Sequence, residues 1–518
     1  MNMRARRPDR EGKFSGNRAE RAIIDIGSNT VRMVIYGGTM RAPTVLLNEK
    51  VTARLGREIA ETGRLAEEAV ALAMRGLKRF VLLLEDLGIQ DVETVATAAV
   101  RDATNGPEFV QEVRSLGLDP QVISGEEEAR LSASGVLGAF PGAKGVVADL
   151  GGGSLELVDV CDATTGEAVS LPLGTLRLPE YRAEKQSDMR KSLEKAIKKS
   201  GQSSREGEAL YLVGGTWRSM AVYAMQRADF PLSDPHGYEL AAEDAANLAK
   251  ELAGEDPEDI KAHDRISSMR SEKLPDAAVL LLALLAKLEP DRIVFSSWGI
   301  REGLLFDRLP EHGKSQDPLL AGIAVFAAQR GAPPTLSTLI AAWTVDAAPA
   351  GDAGSERLRL AATMLSLASM QIEPNIRHPQ AADWALHKRW IAIDGEGRAM
   401  LAAAIAANGK HTEPTDQLQE LADDGALGEA ICWGLAIRLA RRLGARSQRS
   451  LQSSRLLIEN DKLILRLAQS HRDLFGVSTE KDMKLLSGRL GIDWAVEVVS
   501  DKELYRSADD QQQVSATP

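Results

Sequence analysis

The stretch VVADLGGGSLELVDV (residues 146–160) places three consecutive glycines between an apolar run and a run of alternating apolar and polar residues. A second stretch, AIIDIGSNTVRMVIY (residues 22–36), repeats the order of an apolar run, an Asp, an apolar residue, a Gly, small polar residues and a further apolar run. Each pattern predicts a strand, a tight turn and a second strand that returns beside the first. Asp25 and Asp149 lie 124 residues apart, and strand and helix patterns alternate after each of them. The sequence therefore predicts a duplicated α/β fold.

Both turns have the chemistry of phosphate sites. Because glycine lacks a Cβ, an anion can approach the backbone N–H groups of such a turn closely. The Asp before each turn would repel that anion unless a cation lay between them, and Mg²⁺ is a hard ion that prefers carboxylate and phosphate oxygens. The sequence contains neither a P-loop motif nor a dinucleotide-binding glycine motif. We therefore expect Mg²⁺ as a cofactor and phosphate binding at Gly27, Ser28, Asn29, Gly151, Gly152, Gly153 and Ser154.

Composition excludes several other classes. The net charge of −11 argues against a general DNA-binding protein. Two cysteines, Cys161 and Cys432, are too few and too far apart for a disulfide scaffold or a zinc cluster. The N-terminal residues lack the apolar stretch of a secretory signal, and the longest apolar run, residues 277–286, is too short to cross a bilayer. We expect a cytoplasmic protein without integral membrane contact.

Changes in the pattern along the chain predict four folded segments between two tails. Strand and helix patterns alternate up to Pro310, an Ala- and Leu-rich helical pattern follows, and a hairpin with its turn at Asn460-Asp461 begins the last folded segment. The expected segments are a disordered basic tail (1–20), two α/β domains (21–140 and 141–310), a helical domain (311–443), a small α+β domain (444–506) and a polar tail (507–518). Within the second α/β domain, DATTGEA at residues 162–168 is expected to be a turn between strands, and a long charged helix is expected at residues 179–200.

Six motifs together resemble one protein family. In order along the chain they are DIGSNTVRMVIY, ATAAVRDATNG, VISGEEEARLSASGVLGAF, VVADLGGGSLELV, YLVGGTWRSMA and VFSSWGIREGLL, which cover about residues 22–309. The layout is similar to the actin/Hsp70/sugar-kinase superfamily, and the motifs are similar to the exopolyphosphatase/guanosine pentaphosphate phosphohydrolase family. The resemblance implies two actin-like (RNase H-like) domains and hydrolysis of terminal phosphates from polyphosphate or pppGpp with a divalent cation. We also expect a homodimer, and a monovalent cation such as K⁺ as a second cofactor.

The resemblance and the local chemistry select candidate residues. SGEEEAR places three glutamates at the start of a helix, and the catalytic glutamate of the family aligns with Glu127, or with Glu128 if the alignment is shifted by one. A glutamate there could activate water against the terminal phosphorus. Alternatively, these acids lie on the surface and interact favourably with the positive end of the helix dipole. Arg101 is the predicted catalytic cation.

Further candidates surround the two turns. Arg32 interrupts an apolar strand and is predicted to bind phosphate, since a guanidinium binds such oxygens bidentately. Alternation places Glu156 on the same strand face as Ser154. The predicted metal ligands are Asp25, Asp149 and Glu156.

Three further regions are interpreted from their residues. A third glycine turn, LVGGTW at residues 212–217, is expected to close the cleft, and we assign it no nucleotide. The helical domain resembles an HD-like fold but lacks its His-Asp metal pair, so lone His378 and His387 predict a structural domain without a metal centre. The arginine-rich segment 438–455 is either a solvated helix face and linker or a path for a long polyanion.

The favoured function is an Mg²⁺-dependent exopolyphosphatase that releases orthophosphate. A pppGpp phosphohydrolase uses the same chemistry and stays open, as does a chain with both activities. A nucleotide-driven chaperone or filament protein of the same superfamily would give the SGEEEAR glutamates no role. The protein could also be an inactive regulator that binds polyphosphate, and only an activity assay distinguishes it from an enzyme.

Overall fold

The computed structural model describes residues 18–202, 207–348, 351 and 353–504. These form two compact units, residues 1–322 and 323–518, and the boundary falls within one helix. Of the predicted tail at residues 1–20, residues 1–17 lie outside the described residues. The predicted tail at 507–518 lies wholly outside them. The division into domains predicted from the sequence stays a prediction.

The first half of unit 1 contains a five-stranded sheet in the order β3-β2-β1-β4-β5, in which β1 pairs antiparallel with β2 and parallel with β4. Strand β1 is central and buried on both faces, as its apolar run predicts. Strand β3 is a half-exposed edge strand without a clear apolar pattern. The elements are β1 (Arg21–Ile26), β2 (Val31–Thr39), β3 (Ala42–Val51), α1 (Ile59–Thr62), α2 (Glu67–Leu87), β4 (Asp91–Ala96), α3 (Ala98–Asp102), α4 (Gly106–Ser115), β5 (Pro120–Val122) and α5 (Gly125–Ala139).

The second half of unit 1 repeats this arrangement. Its six-stranded sheet has the order β8-β7-β6-β9-β11-β10, and β6 again pairs antiparallel with β7 and parallel with β9. The elements are β6 (Lys144–Leu150), β7 (Leu155–Cys161), β8 (Thr164–Leu171), α6 (Gln186–Lys198), β9 (Ala209–Val213), α7 (Gly215–Arg227), β10 (Glu239–Ala241), α8 (Ala242–Gly254), α9 (Pro257–Lys261), α10 (Ser268–Ser271), α11 (Leu274–Leu288), β11 (Arg292–Ser296), α12 (Ile300–Asp307), α13 (Glu311–Lys314) and α14 (Pro318–Ala328). The mixed α/β class and the duplication are confirmed.

Two local predictions in this half are correct in type but too long. The turn at residues 162–168 consists only of Asp162 and Ala163, both with positive φ, and β8 begins at Thr164. The expected helix at residues 179–200 is a short 3₁₀ turn, Leu178–Tyr181, followed by α6, which begins at Gln186. The polar residues that separate the two helical stretches bury no apolar face that could have extended the helix.

Unit 2 contains a helical part and a small sheet. Its elements are α15 (Pro334–Thr344), α16 (Ala353–Ala368), α17 (Arg377–Leu386), α18 (Gly395–Asn408), α19 (Asp416–Gln419), α20 (Asp424–Gly444), α21 (Gln448–Gln452), β12 (Ser454–Glu459), β13 (Lys462–Ala468), α22 (Val477–Leu490) and β14 (Asp493–Val499). The predicted hairpin is confirmed, because β12 pairs antiparallel with β13 across Asn460 and Asp461, which both have positive φ. No helix among the described residues is long and apolar enough to cross a membrane.

Candidate active site

A cavity of about 240 Å³ lies in unit 1 at the carboxyl ends of the central strands. Residues that directly follow β1, β4, β6, β9 and β11 line it, which is where ligands bind in open α/β sheets. Both predicted glycine turns contribute to its wall. The lining residues from the turns and strand ends are Gly27, Ser28, Asn29, Thr97, Gly151, Gly152, Gly153, Ser154, Gly214, Gly215 and Ser297.

The two glycine turns have the same backbone geometry. The N–H of Gly27 donates to the carbonyl of Thr30 at 3.0 Å, and the N–H of Gly151 donates to the carbonyl of Ser154 at 3.0 Å. Two residues form the tip of each turn, Ser28-Asn29 and Gly152-Gly153, and none of their four amides donates a hydrogen bond within the described residues. Amides of this kind are available to a phosphate, so the geometry supports the predicted phosphate sites.

Glycine is needed at the second tip for an additional reason. A Cβ on Gly152 would lie 3.1 Å from the Cβ of Ser28, and a Cβ on Gly153 would lie 3.0 Å from the Oγ of Ser28. The two tips therefore touch, and a side chain at either position would require Ser28 to shift. This packing is a second reason for glycine beside the predicted approach of an anion.

Strand register gives the two halves opposite charge patterns. Asp25 in β1 lies directly across from Arg32 in β2, whereas Asp149 in β6 lies directly across from Glu156 in β7. Residues at such positions are neighbours on one face of the sheet. The first half of the site thus pairs a carboxylate with a guanidinium, and the second half places two carboxylates side by side.

The acidic half is buried and electrostatically unfavourable without a cation. Burial, followed by repulsion from Asp149, raises the pKa of Glu156 to about 8. Burial also raises the pKa of Asp149, although the Ser132 hydroxyl donates to its carboxylate. Ser170 donates to Oε1 of Glu156 at 2.9 Å, but the buried Oε2 has no hydrogen-bond partner among the described residues. An unpaired carboxylate oxygen beside a second carboxylate is a suitable ligand for a hard cation.

The predicted metal ligands do not form a closed cage. Among the described residues, no group of three or more His, Cys, Asp or Glu side chains lies close enough to hold a metal ion. Asp25 and Asp149 line the cavity, whereas Glu156 lies behind its wall, and burial raises the pKa of Asp25. Mg²⁺ is usually bound by one or two carboxylates together with substrate phosphates and water. Asp149 and Glu156 fit such a partial ligand set, and their role as ligands stays a prediction.

The structure distinguishes between the candidate glutamates. Glu127 is exposed, and its backbone N–H is bound by the Ser124 hydroxyl that caps α5. Glu128 is buried and lines the cavity. Burial, followed by repulsion from Glu156 and Asp149, raises the pKa of Glu128 well above its usual range. Of the two, only Glu128 lines the cavity, because one residue along a helix rotates the side chain by about 100°. Which glutamate acts as the base stays a prediction.

The predicted cations take two positions. Arg32 lines the cavity, and burial followed by repulsion from Arg301 lowers its pKa. Arg101 contacts Glu128 at 3.4 Å and donates to the Ile123 carbonyl at 3.1 Å, but it does not line the cavity itself. Arg101 therefore touches a cavity-lining side chain, Glu128, and its predicted catalytic role stays a prediction.

Most of the positive charge in the cavity comes from residues that were not predicted. Six cationic side chains line the cavity against the three acids Asp25, Glu128 and Asp149. Two of those cations, Arg218 and Arg301, belong to motifs that carried the family resemblance, which is the signal that could have found them. Lys50, Arg270 and Lys273 lie outside all six motifs. The cations missed by the sequence analysis are Lys50, Arg218, Arg270, Lys273 and Arg301.

The third glycine turn closes one side of the cavity, as predicted. A Cβ on Gly214, whose φ is 122°, would lie 2.7 Å from the carbonyl of Leu150. Gly215 begins α7, and Gly215 and Thr216 line the cavity. The close packing on Leu150 fixes the start of α7 beside the second phosphate turn.

In unit 2 the arginine-rich segment is partly occupied by ion pairs. Arg438 and Arg442 each lie 2.9 Å from a carboxylate oxygen of the buried Asp482, and Arg455 lies 2.9 Å from Asp346. Arg446 and Arg449 are exposed, so both the solvated-face and the polyanion-path interpretations stay predictions.

Comparisons with known proteins agree with these features. The sequence model of the Ppx/GppA phosphatase family matches residues 34–312. The crystal structure of the Aquifex aeolicus member of that family is 28% identical, with 55% of this chain and 96% of that chain covered and a TM-score of 0.50. The crystal structure of an exopolyphosphatase from Cytophaga hutchinsonii is 24% identical, with 56% and 98% covered and a TM-score of 0.49.

A curated relative has a different description. The retrograde regulation protein 2 of Saccharomyces cerevisiae is 28% identical over 335 residues, which are 58% of this chain and 57% of that protein. The chain thus spans little more than half the length of this relative.

Proposed function

Since the chain belongs to the Ppx/GppA phosphatase family, we propose that it is an exopolyphosphatase that hydrolyses the terminal phosphoanhydride bond of inorganic polyphosphate. One observation carries the proposal. A single cavity combines two turns with unoccupied amides, an excess of cationic side chains and a buried glutamate at the start of a helix. Phosphoryl transfer needs these parts, because its catalysis consists of positioning, charge stabilisation and orientation of the nucleophile.

Glu128 is the proposed general base. It removes a proton from a water molecule as that water attacks the terminal phosphorus, and the P–O bond to the rest of the chain breaks. Orthophosphate and a polyphosphate shorter by one phosphate are the products. Arg101, at 3.4 Å, favours the ionised form of Glu128 and offsets part of the effect of burial. The amides of both turns, together with Arg32, hold the terminal phosphate so that the attacking water, the phosphorus and the leaving oxygen lie in line.

Mg²⁺ is the proposed cofactor, and Asp149 and Glu156 are its proposed ligands, with Asp25 on the opposite side. The ion would supply positive charge that neutralises phosphate oxygens beside these carboxylates. A monovalent cation such as K⁺ is proposed on the family resemblance alone. The same resemblance supports a cytoplasmic homodimer whose helical part has an HD-like fold without a metal.

Two alternatives have specific support. pppGpp ends in the same phosphoanhydride bond, so this site could hydrolyse it with the same residues. A regulator that binds polyphosphate without cleaving it is supported by the similarity to a protein named as a regulator. A buried Glu128 beside an arginine favours an enzyme over this second alternative.

The test is phosphate release by the purified protein with Mg²⁺ and, separately, long-chain polyphosphate, pppGpp and ATP. Release from polyphosphate supports the proposal, and release from pppGpp alone supports the first alternative. Binding of polyphosphate without release from any substrate would refute an enzyme. The Glu128→Gln protein is the matched inactive control, because it should bind substrate but not cleave it.

A further inference from the structure

A cluster of polar residues in unit 2 is not explained by the proposed active site. Arg438 donates to the backbone carbonyl of Asn408 at 3.0 Å, at the end of α18, and pairs with Asp482 at 2.9 Å. Arg442 pairs with the same carboxylate. Arg441 lies between these two arginines on α20, and it makes no hydrogen bond or ion pair with any described residue.

Several polar atoms of this cluster are buried without partners. Nε of Arg441, Oδ1 of Asn408 and Nε2 of His378 are buried and have no hydrogen-bond partner among the described residues. Asn408 is only 4% exposed. The ring of His378 lies 4.3 Å from that of His411, which follows Asn408 by three residues. Buried polar groups are normally paired, so several unpaired groups in one region indicate a missing partner.

The charge of the cluster indicates the sign of that partner. Burial, followed by repulsion from Arg438, Arg377 and Arg442, lowers the pKa of Arg441 to about 10. Arg438 and Arg442 thus share the single carboxylate of Asp482, and Arg377 and Arg441 add positive charge nearby. The carboxyl end of a helix favours cations, which explains why Arg438 lies against the end of α18. This helix end does not provide a hydrogen-bond acceptor for Arg441.

We propose that this cluster, formed by Arg441, Asn408 and the neighbouring arginines, is a binding site for a phosphate group. A guanidinium binds two phosphate oxygens in parallel, and a phosphate carries more charge than the single carboxylate of a partner side chain. The amide of Asn408 can donate its Nδ2–H, since the two ends of an amide exchange places by rotation. Arg441 is partly exposed, so a phosphate can reach it from solvent. The site does not rest on the proposed exopolyphosphatase activity.

The test counts orthophosphate ions bound per chain by equilibrium dialysis with radiolabelled orthophosphate. We expect two ions on the wild-type protein, one in the cleft and one at Arg441, and one fewer on Arg441→Gln. Arg449→Gln is the matched control, because Arg449 is exposed and belongs to the next helix. Gly152→Val should lose the cleft ion instead, so failure of the cleft assignment and failure of this one are distinguishable.

The affinity of the second site should fall about 10- to 100-fold in Arg441→Gln, as expected for the loss of charged hydrogen bonds. If that variant does not fold by circular dichroism, Arg441→Lys keeps the charge, loses the planar fork and should still weaken binding. Competition by tripolyphosphate or by GTP identifies whether a chain end or a nucleotide supplies the phosphate. Equal binding by Arg441→Gln and Arg449→Gln, or binding confined to the cleft, would overturn the proposal.

Discussion

Replacing Glu156 by Gln should stabilise the protein at alkaline pH and leave its stability nearly unchanged at acid pH. Burial and the neighbouring Asp149 raise the pKa of Glu156 from 4.5 to about 8. Gln has almost the same shape and can accept the hydrogen bond that Ser170 donates to Oε1. It differs because it cannot ionise, so the variant isolates the cost of the buried charge.

The magnitude and sign follow from proton linkage. Between pH 4.5 and about 8 the unfolded chain has lost the Glu156 proton while the folded protein keeps it, so unfolding releases a proton and stability falls as the pH rises through this window. The difference between the pKa of Glu156 in the unfolded chain and in the folded protein corresponds to about 5 kcal/mol in the free energy of unfolding, since one pKa unit is worth about 1.4 kcal/mol. Because the buried Asp149 repels Glu156 and shares part of this free energy, we expect a measured difference of about 2–5 kcal/mol.

Scanning calorimetry at pH 5 and pH 9, in the absence of divalent cations, measures the difference between variant and wild type. The variant should unfold at a clearly higher temperature at pH 9 and at nearly the same temperature at pH 5. Glu127→Gln is the control, because this exposed residue should show no such pH dependence. Mg²⁺ should stabilise the wild type more than the variant at pH 9. A variant that is equally stable with wild type at pH 9, or less stable at both pH values, would refute the reasoning.

Three further predictions concern other parts of the molecule. Glu128→Gln should lower turnover about 10²–10⁴-fold with substrate binding kept, whereas Glu127→Gln should retain turnover; the reverse result would return the base to Glu127. Gly152→Val should force the second turn away from Ser28, whose Cβ would lie 3.1 Å from the new Cβ, and weaken phosphate binding in a protein that is folded by circular dichroism; normal binding would contradict the assignment of the turns. His378→Ala should leave phosphate release and metal content unchanged, and loss of a stoichiometric transition metal in this variant would show a metal centre in the helical part.

The sequence alone determined the features that depend on neighbouring residues. The two turns could be identified because an apolar strand, an Asp and glycines follow one another within a few positions, and backbone pairing across such a turn is local. The hairpin at Asn460-Asp461 was predictable for the same reason, since both residues tolerate positive φ. Repetition of the first pattern predicted the duplicated sheet, and the predicted phosphate residues do line one cavity.

Only the tertiary structure decided which side chains meet. The choice between Glu127 and Glu128 depends on the rotation of α5, which is set by its capping at Ser124 and by the packing of the whole helix. Arg270 and Lys273 reach the cavity from a segment more than 100 residues after the second turn, and no local pattern marks such an approach. The burial of Arg441 likewise depends on the packing of α20 against other helices. Charge and burial at a site are sums over distant parts of the chain, whereas turn and strand formation are decided by a few adjacent residues.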